Sequence, residues 1–307
     1  MAAATLPVLG PLALPAAVAV GAATARSRRF GGGVCTVALA ALFAGWALRT
    51  SGPPSAPAPT LRVMTLNVGG VWRSEGRLAD YVERTRPDVV LLQEAGASGR
   101  LYAPAAARLG TLDGYALHTR GGLDKEGGAR QVMASRLPVR SYESGYLASP
   151  EPRAGVYSRA VVAVGGVEVV VYNVHLRPFN PEVGWSLGRA LSPSVWAETP
   201  ANLRDFFAEQ AVEAEALARR VEAETRPVVV GGDFNAAPDQ WSRTVLGRRL
   251  REVTGRWLPA ATRPDRTPVF NVDGILVGPG WGVAGVEVGP PGLSDHRAVS
   301  ADLGLRP

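Results

Sequence analysis

A carboxylate and an amide follow a short apolar run near residue 230. Residues 228–235 read Val-Val-Val-Gly-Gly-Asp-Phe-Asn, which predicts a strand that ends in Asp233 and Asn235. If the strand persists to its end, both side chains project from one face, because side chains alternate along a strand. Such a pair suits a hard cation and a phosphate oxygen. The alternative is a strand followed by an Asx-type turn.

Other predicted strand ends carry polar residues of the same kind. In chain order they are Asn67, Glu94, Asn173 with His175, and Asp295 with His296 in the loop before the last strand. A glutamate at the end of a buried apolar strand must be paired, solvated or bound to metal. Each residue alone also has a structural explanation, as a turn cap, a surface ion pair or a packed histidine. Their recurrence at several strand ends indicates one shared site.

Strands and helices must carry these residues to one place. Strand-like runs cover residues 61–66, 88–92, 131–135, 158–164, 167–176, 227–233, 269–277 and 297–303, and helical runs cover 76–86 and 201–224. The second helical run has an apolar stripe at helical spacing, formed by Leu203, Phe207, Ala214, Leu217 and Val221. This spacing predicts that one face of the helix packs on a core.

Composition excludes several classes of protein. With 46% hydrophobic and 20% charged residues among 307, the chain is globular rather than disordered. The net charge of +6 includes four arginines that precede residue 60, where no acidic residue occurs. The remainder is close to neutral and does not favour a non-specific nucleic-acid binder. The single cysteine, Cys35, excludes an intrachain disulfide and a cysteine-based zinc site.

The N-terminus predicts a membrane anchor or an export signal. Residues 5–25 and 30–48 carry no charge, and each run is about long enough to cross a bilayer as a helix. The basic turn from Arg26 to Arg29 would stay cytoplasmic, which puts the rest of the chain outside. Cleavage near Ala47 would release it instead, and a buried helical hairpin of a soluble protein is a further alternative. We expect residues 1–50 to be this anchor or signal, 51–59 a Pro-rich linker and 60–307 one catalytic domain at the cell membrane, or secreted after cleavage.

The polar strand ends resemble, in family order, the motifs of the endonuclease/exonuclease/phosphatase superfamily. They are Leu66-Asn67, Gln93-Glu94, Ser135-Arg136-Leu137-Pro138, Asn173-Val174-His175, Gly232-Asp233-Phe234-Asn235 and Ser294-Asp295-His296. The resemblance covers about residues 60–304. It implies an α/β four-layer sandwich of two packed mixed β-sheets flanked by helices, with the site at one end.

The resemblance also implies roles for the polar residues. Glu94 would be the principal ligand of Mg²⁺ or Mn²⁺, with Asn67 and Asp295 nearby. Ligands that offer only oxygen, in a chain with three histidines, fit these cations better than zinc.

The same resemblance assigns the catalytic groups. His296 would act as the base or bind the phosphate, and Asp233 would align or deprotonate the attacking water. Asn235 and His175 would hold the non-bridging oxygens. Asp273 would orient the imidazole of His296 and fix its tautomer.

Substrate contacts beyond this set are Asn173 and Arg159. Asn173 belongs to the Asn-Val-His motif, and Arg159 is either an additional phosphate contact or a strand-face arginine. The chain departs from the family pattern at Gly274, where an aromatic residue or histidine is common.

The motifs specify phosphoester chemistry and leave the substrate open. The anchor, the near-neutral domain and a loop after His175 with Phe179, Trp185 and Trp196 favour a lipid-linked phosphate outside the membrane. The tryptophans of that loop could instead turn inward. An exported nuclease acting on DNA or RNA is the alternative. A non-catalytic interaction module is a third hypothesis, against which the retained catalytic set argues. No obligate protein partner is implied.

Overall fold

The computed structural model describes residues 61–69, 75–95, 103–119, 131–148, 154–178, 193–255 and 260–305, without the side chains of 75, 103–105 and 193–203. The predicted anchor or signal at 1–50 and the Pro-rich linker at 51–59 lie outside the described residues. So do the loop residues Phe179 and Trp185 and the side chain of Trp196. Among the described residues, no helix has both the length and the apolar character needed to cross a membrane.

Two six-stranded sheets form the centre of the molecule. The first sheet has the order β11 (Trp281–Val288), β12 (Val299–Leu305), β1 (Leu61–Asn67), β2 (Val89–Gln93), β4 (Gln131–Ser135) and β3 (Ala116–His118). The second has the order β5 (Val139–Tyr146), β6 (Val156–Val164), β7 (Val167–His175), β8 (Val228–Asp233), β10 (Asp273–Val277) and β9 (Arg251–Glu252). Each sheet is mixed, because β1 with β2 and β7 with β8 are parallel while the other neighbours are antiparallel.

Helices cover the outer faces of both sheets. Helices α1 (Glu75–Thr85) and α2 (Ala103–Leu109) pack on the first sheet, and α3 (Pro193–Glu222) and α4 (Trp241–Leu246) pack on the second. The core therefore has three apolar layers: helix on sheet, sheet on sheet, and sheet on helix. Of the predicted stripe on α3, Ala214, Leu217 and Val221 are buried in this core.

Alternation along the strands sorts the space between the sheets into an apolar end and a polar end. Along β7, Val169 and Val171 face the first sheet and pack in the central core. The next residues of the same parity are Asn173 and His175, because side chains alternate with a period of two. On β1 the same change leads from Val63 to Asn67. The polar end of this space is where the functional side chains collect.

Every strand predicted from an apolar run has a counterpart, while several elements were missed. Helix α3 begins at Pro193, earlier than the prediction, and β10 begins only at Asp273. Residues 262–270 form a hydrogen-bonded turn, so the first residues of the predicted strand 269–277 are not in a strand. In this turn the Val269 and Phe270 N–H groups donate to the Arg263 carbonyl. The missed elements are β3, β5, β9, β11, α2 and α4. Of the strands among these, β3, β5 and β9 are short or largely exposed, so the apolar pattern is weak.

Candidate active site

Strand ends from both sheets meet at the polar end of the inter-sheet space. In the second sheet, His175 pairs with Asp233, and Asp233 pairs with Asp273, so three adjacent strands present their ends side by side. The first sheet adds Asn67 from β1 and Glu94 directly after β2. Residues separated by more than 200 positions in the chain therefore share one site.

A carboxylate–imidazole pair, Asp273 and His296, forms a deeply buried part of the site. His296 Nδ1 lies 2.8 Å from Asp273 Oδ2, and His296 Nε2 lies 3.9 Å from Asp233 Oδ2. Burial acts to lower the pKa of His296, but the Asp273 and Asp233 carboxylates outweigh it and raise this pKa to about 9. Burial acts to raise the pKa of Asp233, yet His296, His175 and Asn67 hold it below its ordinary value. At neutral pH the cluster therefore holds a protonated His296 beside an ionised Asp233.

Asn67 connects two carboxylates that belong to different sheets, those of Glu94 and Asp233. Its Nδ2 donates to Asp233 Oδ2 at 2.9 Å and to Glu94 Oε1 at 3.0 Å. Its Oδ1 accepts the Gly69 N–H at 2.8 Å. The amide nitrogen rather than the oxygen thus faces the carboxylates, so Asn67 orients them here. Its role as a metal ligand stays a prediction.

Glu94 lies on the exposed side of the site, with the buried His175 next to it. Glu94 has a φ of 54°, in the left-handed region, and its side chain is 42% exposed, which turns the carboxylate out of the apolar strand. His175 Nε2 lies 3.6 Å from Glu94 Oε1 and 3.8 Å from Asp233 Oδ2. It is buried and has no hydrogen-bond partner among the described residues. An unpartnered ring nitrogen between two carboxylates is available to a substrate oxygen.

Two parts of the site have the chemistry to hold a cation: the cluster of Asp233, Asp273 and His296, and the carboxylate of Glu94. Ligand atoms of Asp233, Asp273 and His296 all lie within 4.8 Å of one another. In this cluster, however, Asp273 and His296 are already hydrogen-bonded to each other. Glu94 offers an accessible carboxylate, the ligand type that Mg²⁺ and Mn²⁺ prefer. The donor set therefore fits a hard divalent cation best at Glu94.

The loop that carries Asp295 is tied to the turn after β1. Ser294 Oγ lies 2.8 Å from the Gly69 carbonyl oxygen and 3.1 Å from Asp295 Oδ1. Asp295 itself is half-exposed and pairs with Arg263 at 3.4 Å. The loop thus joins the site through Ser294, and the assignment of Asp295 as a metal ligand stays a prediction.

The predicted strand-face pair of Asp233 and Asn235 does not form. Strand β8 ends at Asp233, and Asn235 has a φ of 46°. The Asn235 N–H donates to Asp233 Oδ1 at 2.8 Å, and its Nδ2 donates to the Leu176 carbonyl at 2.9 Å. This is the Asx-type turn that was the alternative. Asp233 keeps its place in the cluster while the amide of Asn235 braces the neighbouring strand end.

Two residues predicted as substrate contacts, Asn173 and Arg159, form hydrogen bonds with other protein groups. Asn173 is fully buried below His175, where its Nδ2 donates to the Leu92 and Val132 carbonyls and its Oδ1 accepts from Gln93. Arg159 binds Glu224 through two hydrogen bonds of 2.6 and 3.0 Å. Both side chains are thus bonded to protein groups here, and their assignment as substrate contacts stays a prediction.

Sequence reasoning missed a polar residue on α3 that braces the site. Gln210 is 1% exposed, and its Nε2 donates to the carbonyls of Arg177, Phe234 and Asn235. It thus holds the chain just after His175 and just after Asp233. Its position was the available signal, because Gln210 falls between Phe207 and Ala214 on the apolar stripe, where a polar side chain is buried and needs partners.

Comparisons with known proteins agree with this geometry. The family model described as "Endonuclease/Exonuclease/phosphatase family" matches residues 64–296. No curated protein matches the chain by sequence.

Solved structures share the fold at low identity. A family member from Bacteroides vulgatus is 18% identical with a TM-score of 0.59, covering 80% of this chain and 99% of that chain. The mannosyl-6-phosphatase Bt3783 of Bacteroides thetaiotaomicron is 14% identical with a TM-score of 0.56, covering 79% and 99%. D. rerio TDP2 complexed with a single-strand DNA product is 15% identical with a TM-score of 0.58, covering 80% and 98%.

The family match spans most of the chain and includes Glu94, His175, Asp233 and Asp273, and it ends at His296. The chain belongs to the endonuclease/exonuclease/phosphatase family, whose members are hydrolases acting on phosphoester bonds.

Proposed function

We propose that the protein is a phosphoesterase that depends on a divalent cation, Mg²⁺ or Mn²⁺. The observation that carries this proposal is the convergence of Glu94, His175, Asp233 and the Asp273–His296 pair at one end of the two sheets. Hydrolysis of a phosphoester needs a positioned water, donors to the phosphate oxygens and a means to offset negative charge. The cluster supplies a group for each of these needs.

Each side chain has a task that follows from its protonation state. An ionised Asp233 accepts a hydrogen bond from the attacking water and can take its proton. A protonated His296, held by Asp273, donates from Nε2, so binding the phosphate suits it better than acting as the base. His175 Nε2 is available to a non-bridging oxygen. A cation at Glu94, when bound, would neutralise developing charge on the phosphate and the leaving oxygen.

For the substrate we propose a lipid-linked phosphate or pyrophosphate outside the cytoplasmic membrane. The support is in the sequence: uncharged runs at 5–25 and 30–48, a near-neutral domain, and the aromatic residues Phe179, Trp185 and Trp196 after His175. A nuclease is the second candidate, since the similar fold of D. rerio TDP2 was solved with a single-strand DNA product. The mannosyl-6-phosphatase shows that the same fold also occurs in a phosphatase.

One set of assays tests the chemistry and ranks the substrates. The purified protein is given bis(p-nitrophenyl) phosphate, a lipid pyrophosphate and plasmid DNA, each with Mg²⁺ and with EDTA. We expect EDTA to abolish turnover and Asp233→Ala and His296→Ala to lower it by at least about 100-fold while both variants stay folded. Turnover that survives EDTA or either substitution contradicts the proposed chemistry. Rapid nicking of plasmid without release of lipid phosphate places the nuclease first.

A fractionation experiment tests the location separately. We expect the full chain to sediment with membranes and to be digested by protease added outside intact cells. A chain that begins at residue 60 should be soluble and equally active. Recovery of the full chain in the cytoplasm would remove the proposed location and leave the proposed chemistry standing.

A further inference from the structure

Arg243 is a buried arginine on α4 that the proposed mechanism does not use. It is 2% exposed, although arginines in short helices normally extend into solvent. Its guanidinium binds Glu252, the residue at the end of β9, in a close ion pair. It also lies over the ring of the fully buried Phe234, 4.8 Å from the centroid.

The same guanidinium spans the two chain segments that carry the buried carboxylates. Its NH1 donates to the Ala236 carbonyl at 3.2 Å and to the Asn271 carbonyl at 3.1 Å. Ala236 follows Asp233 by three residues, and Asn271 precedes Asp273 by two. Asp233 and Asp273 are direct partners in the register of β8 and β10. One planar donor group therefore holds both segments at the point where they leave the sheet.

Arg243 also explains the departure at Gly274. A Cβ on Gly274 would collide with the Arg243 guanidinium and approach Thr254 Oγ1 to 3.0 Å and Glu252 Oε1 to 3.1 Å. The arginine and its partners thus fill the space that a side chain at position 274 would take. Gly274 directly follows Asp273 on β10, so this space lies on the opposite face of the strand from the carboxylate that holds His296.

Stability alone gives a weak reason for such a group. Removing a guanidinium and a carboxylate from water is costly, and well-packed apolar residues often stabilise a core as well or better. What an apolar side chain cannot provide is a set of directed donors to two backbone carbonyls, one just after β8 and one just before β10. The contacts of Arg243 therefore bear on the relative placement of Asp233 and Asp273.

We propose that Arg243 is a positioning residue, which sets the separation of Asp233 and the Asp273–His296 pair by binding the carbonyls of Ala236 and Asn271. The inference rests on the proposed function for its kinetic consequence. It acts through the backbone, because the contacts found for the guanidinium join it to no residue of the catalytic cluster. Gln210 also binds the turn after Asp233, through the Phe234 and Asn235 carbonyls.

The test compares Arg243→Met and Arg243→Lys with the wild type and with Arg248→Met. Arg248 is an exposed arginine stacked on Trp241 just beyond the same helix, and it is the matched control. The kcat and KM for bis(p-nitrophenyl) phosphate with Mg²⁺ are measured well below each melting temperature. Proton NMR then follows the hydrogen-bonded Nδ1 proton of His296, assigned by its loss in His296→Gln.

We expect Arg243→Met to lower kcat by about 100-fold with KM within about threefold, because small misplacements of catalytic groups cost rates of this order. The Nδ1 resonance of His296 should shift or broaden. Arg243→Lys should recover part of kcat, since it keeps the charge and loses the fork of donors. Arg248→Met should match the wild type in both measurements.

Wild-type kcat and an unchanged Nδ1 resonance in Arg243→Met, even with a lower melting temperature, would overturn the inference and leave a purely structural ion pair. If Arg243→Met does not fold, Arg243→Lys and Glu252→Gln decide by the same criteria. A wild type without activity refutes the proposed function instead, and the Nδ1 resonance then decides the positioning role alone.

Discussion

His296, Asp273 and Asp233 are fully or nearly fully buried within one small space, so the protonation of each depends on the other two. Burial raises the pKa of Asp273, and Asp233 raises it further, against the opposing effect of His296. The imidazole gains two carboxylate neighbours on folding, and this outweighs its own burial. At the scale of the residue, the site is therefore a buried acidic cluster that keeps a proton on His296.

This retained proton predicts a pH-dependent stability. The folded pKa of His296, about 9, exceeds its unfolded value of 6.5, so protonation stabilises the fold. The contribution is fully present below about pH 6.5 and is lost as the pH rises through 9. In EDTA, the difference in unfolding free energy between wild type and His296→Gln should fall by on the order of 3 kcal/mol from pH 6 to pH 10. Urea titrations at several pH values measure it.

His118 provides the control for that experiment, since it lies on edge strand β3 away from the cluster. Burial lowers its pKa, so protonation of His118 destabilises the fold at acid pH. The wild type minus His118→Gln difference should therefore not decline above pH 6.5. A His296 difference that stays constant with pH would contradict the raised pKa.

At the scale of the element, strand ends and the turns beyond them deliver the functional groups. The turn after β1 places Gly69 next to Glu94. The Gly69 N–H donates to Asn67 Oδ1, and the Gly69 carbonyl accepts a hydrogen bond from Ser294 Oγ. A Cβ at Gly69 would collide with the Glu94 carboxylate and lie 3.0 Å from Asn67 Oδ1. A side chain at position 69 would therefore displace the carboxylate of a proposed metal ligand.

We predict that Gly69→Ala weakens the binding of Mn²⁺ by about tenfold or more, because it displaces the Glu94 carboxylate. Calorimetric titration of the metal into the protein measures the affinity without reference to turnover. Gly76→Ala is the matched control, since a Cβ at Gly76 meets nothing within 4 Å. Equal Mn²⁺ affinity of the Gly69→Ala variant and the wild type would remove Glu94 as the principal ligand.

At the scale of the whole molecule, the two sheets are joined differently at their two ends. Apolar side chains such as Val63, Val171 and Val229 pack at the end far from the site. Near the site, hydrogen bonds cross the gap instead, from Asn67 to Asp233 and between Gln93 and Asn173. Because polar side chains already bridge the sheets at this end, the carboxylates of the site find hydrogen-bond donors between the sheets. They can therefore be buried there without separating the two sheets.

Asn173 tests this joint. Asn173→Ala removes the donor to the Leu92 and Val132 carbonyls and one of the acceptors of the Gln93 amide, so we expect a loss of roughly 2–4 kcal/mol in unfolding free energy. Urea unfolding gives the loss, and steady-state kinetics on the folded variant give KM. A large rise in KM with unchanged stability would instead identify Asn173 as the predicted substrate contact.

The sequence by itself determined the strands that carry the site and most members of the cluster. Apolar runs located the strands that carry Asn67, His175 and Asp233, since burial between sheets and helices demands such runs. The period of two then assigned Asn173 and His175 correctly to one face. Glu94 and His296 were found because polar groups beside buried strands need a partner.

Only the tertiary structure decided which partner each polar group takes. It assigned Asn173 to the inter-sheet joint, Arg159 to Glu224, and the amide of Asn235 to the Leu176 carbonyl. It also buried Arg243 beside Gly274, where the sequence showed only an unusual glycine. Local pattern specifies the face on which a side chain lies, whereas its hydrogen bonds depend on groups that arrive from distant parts of the chain.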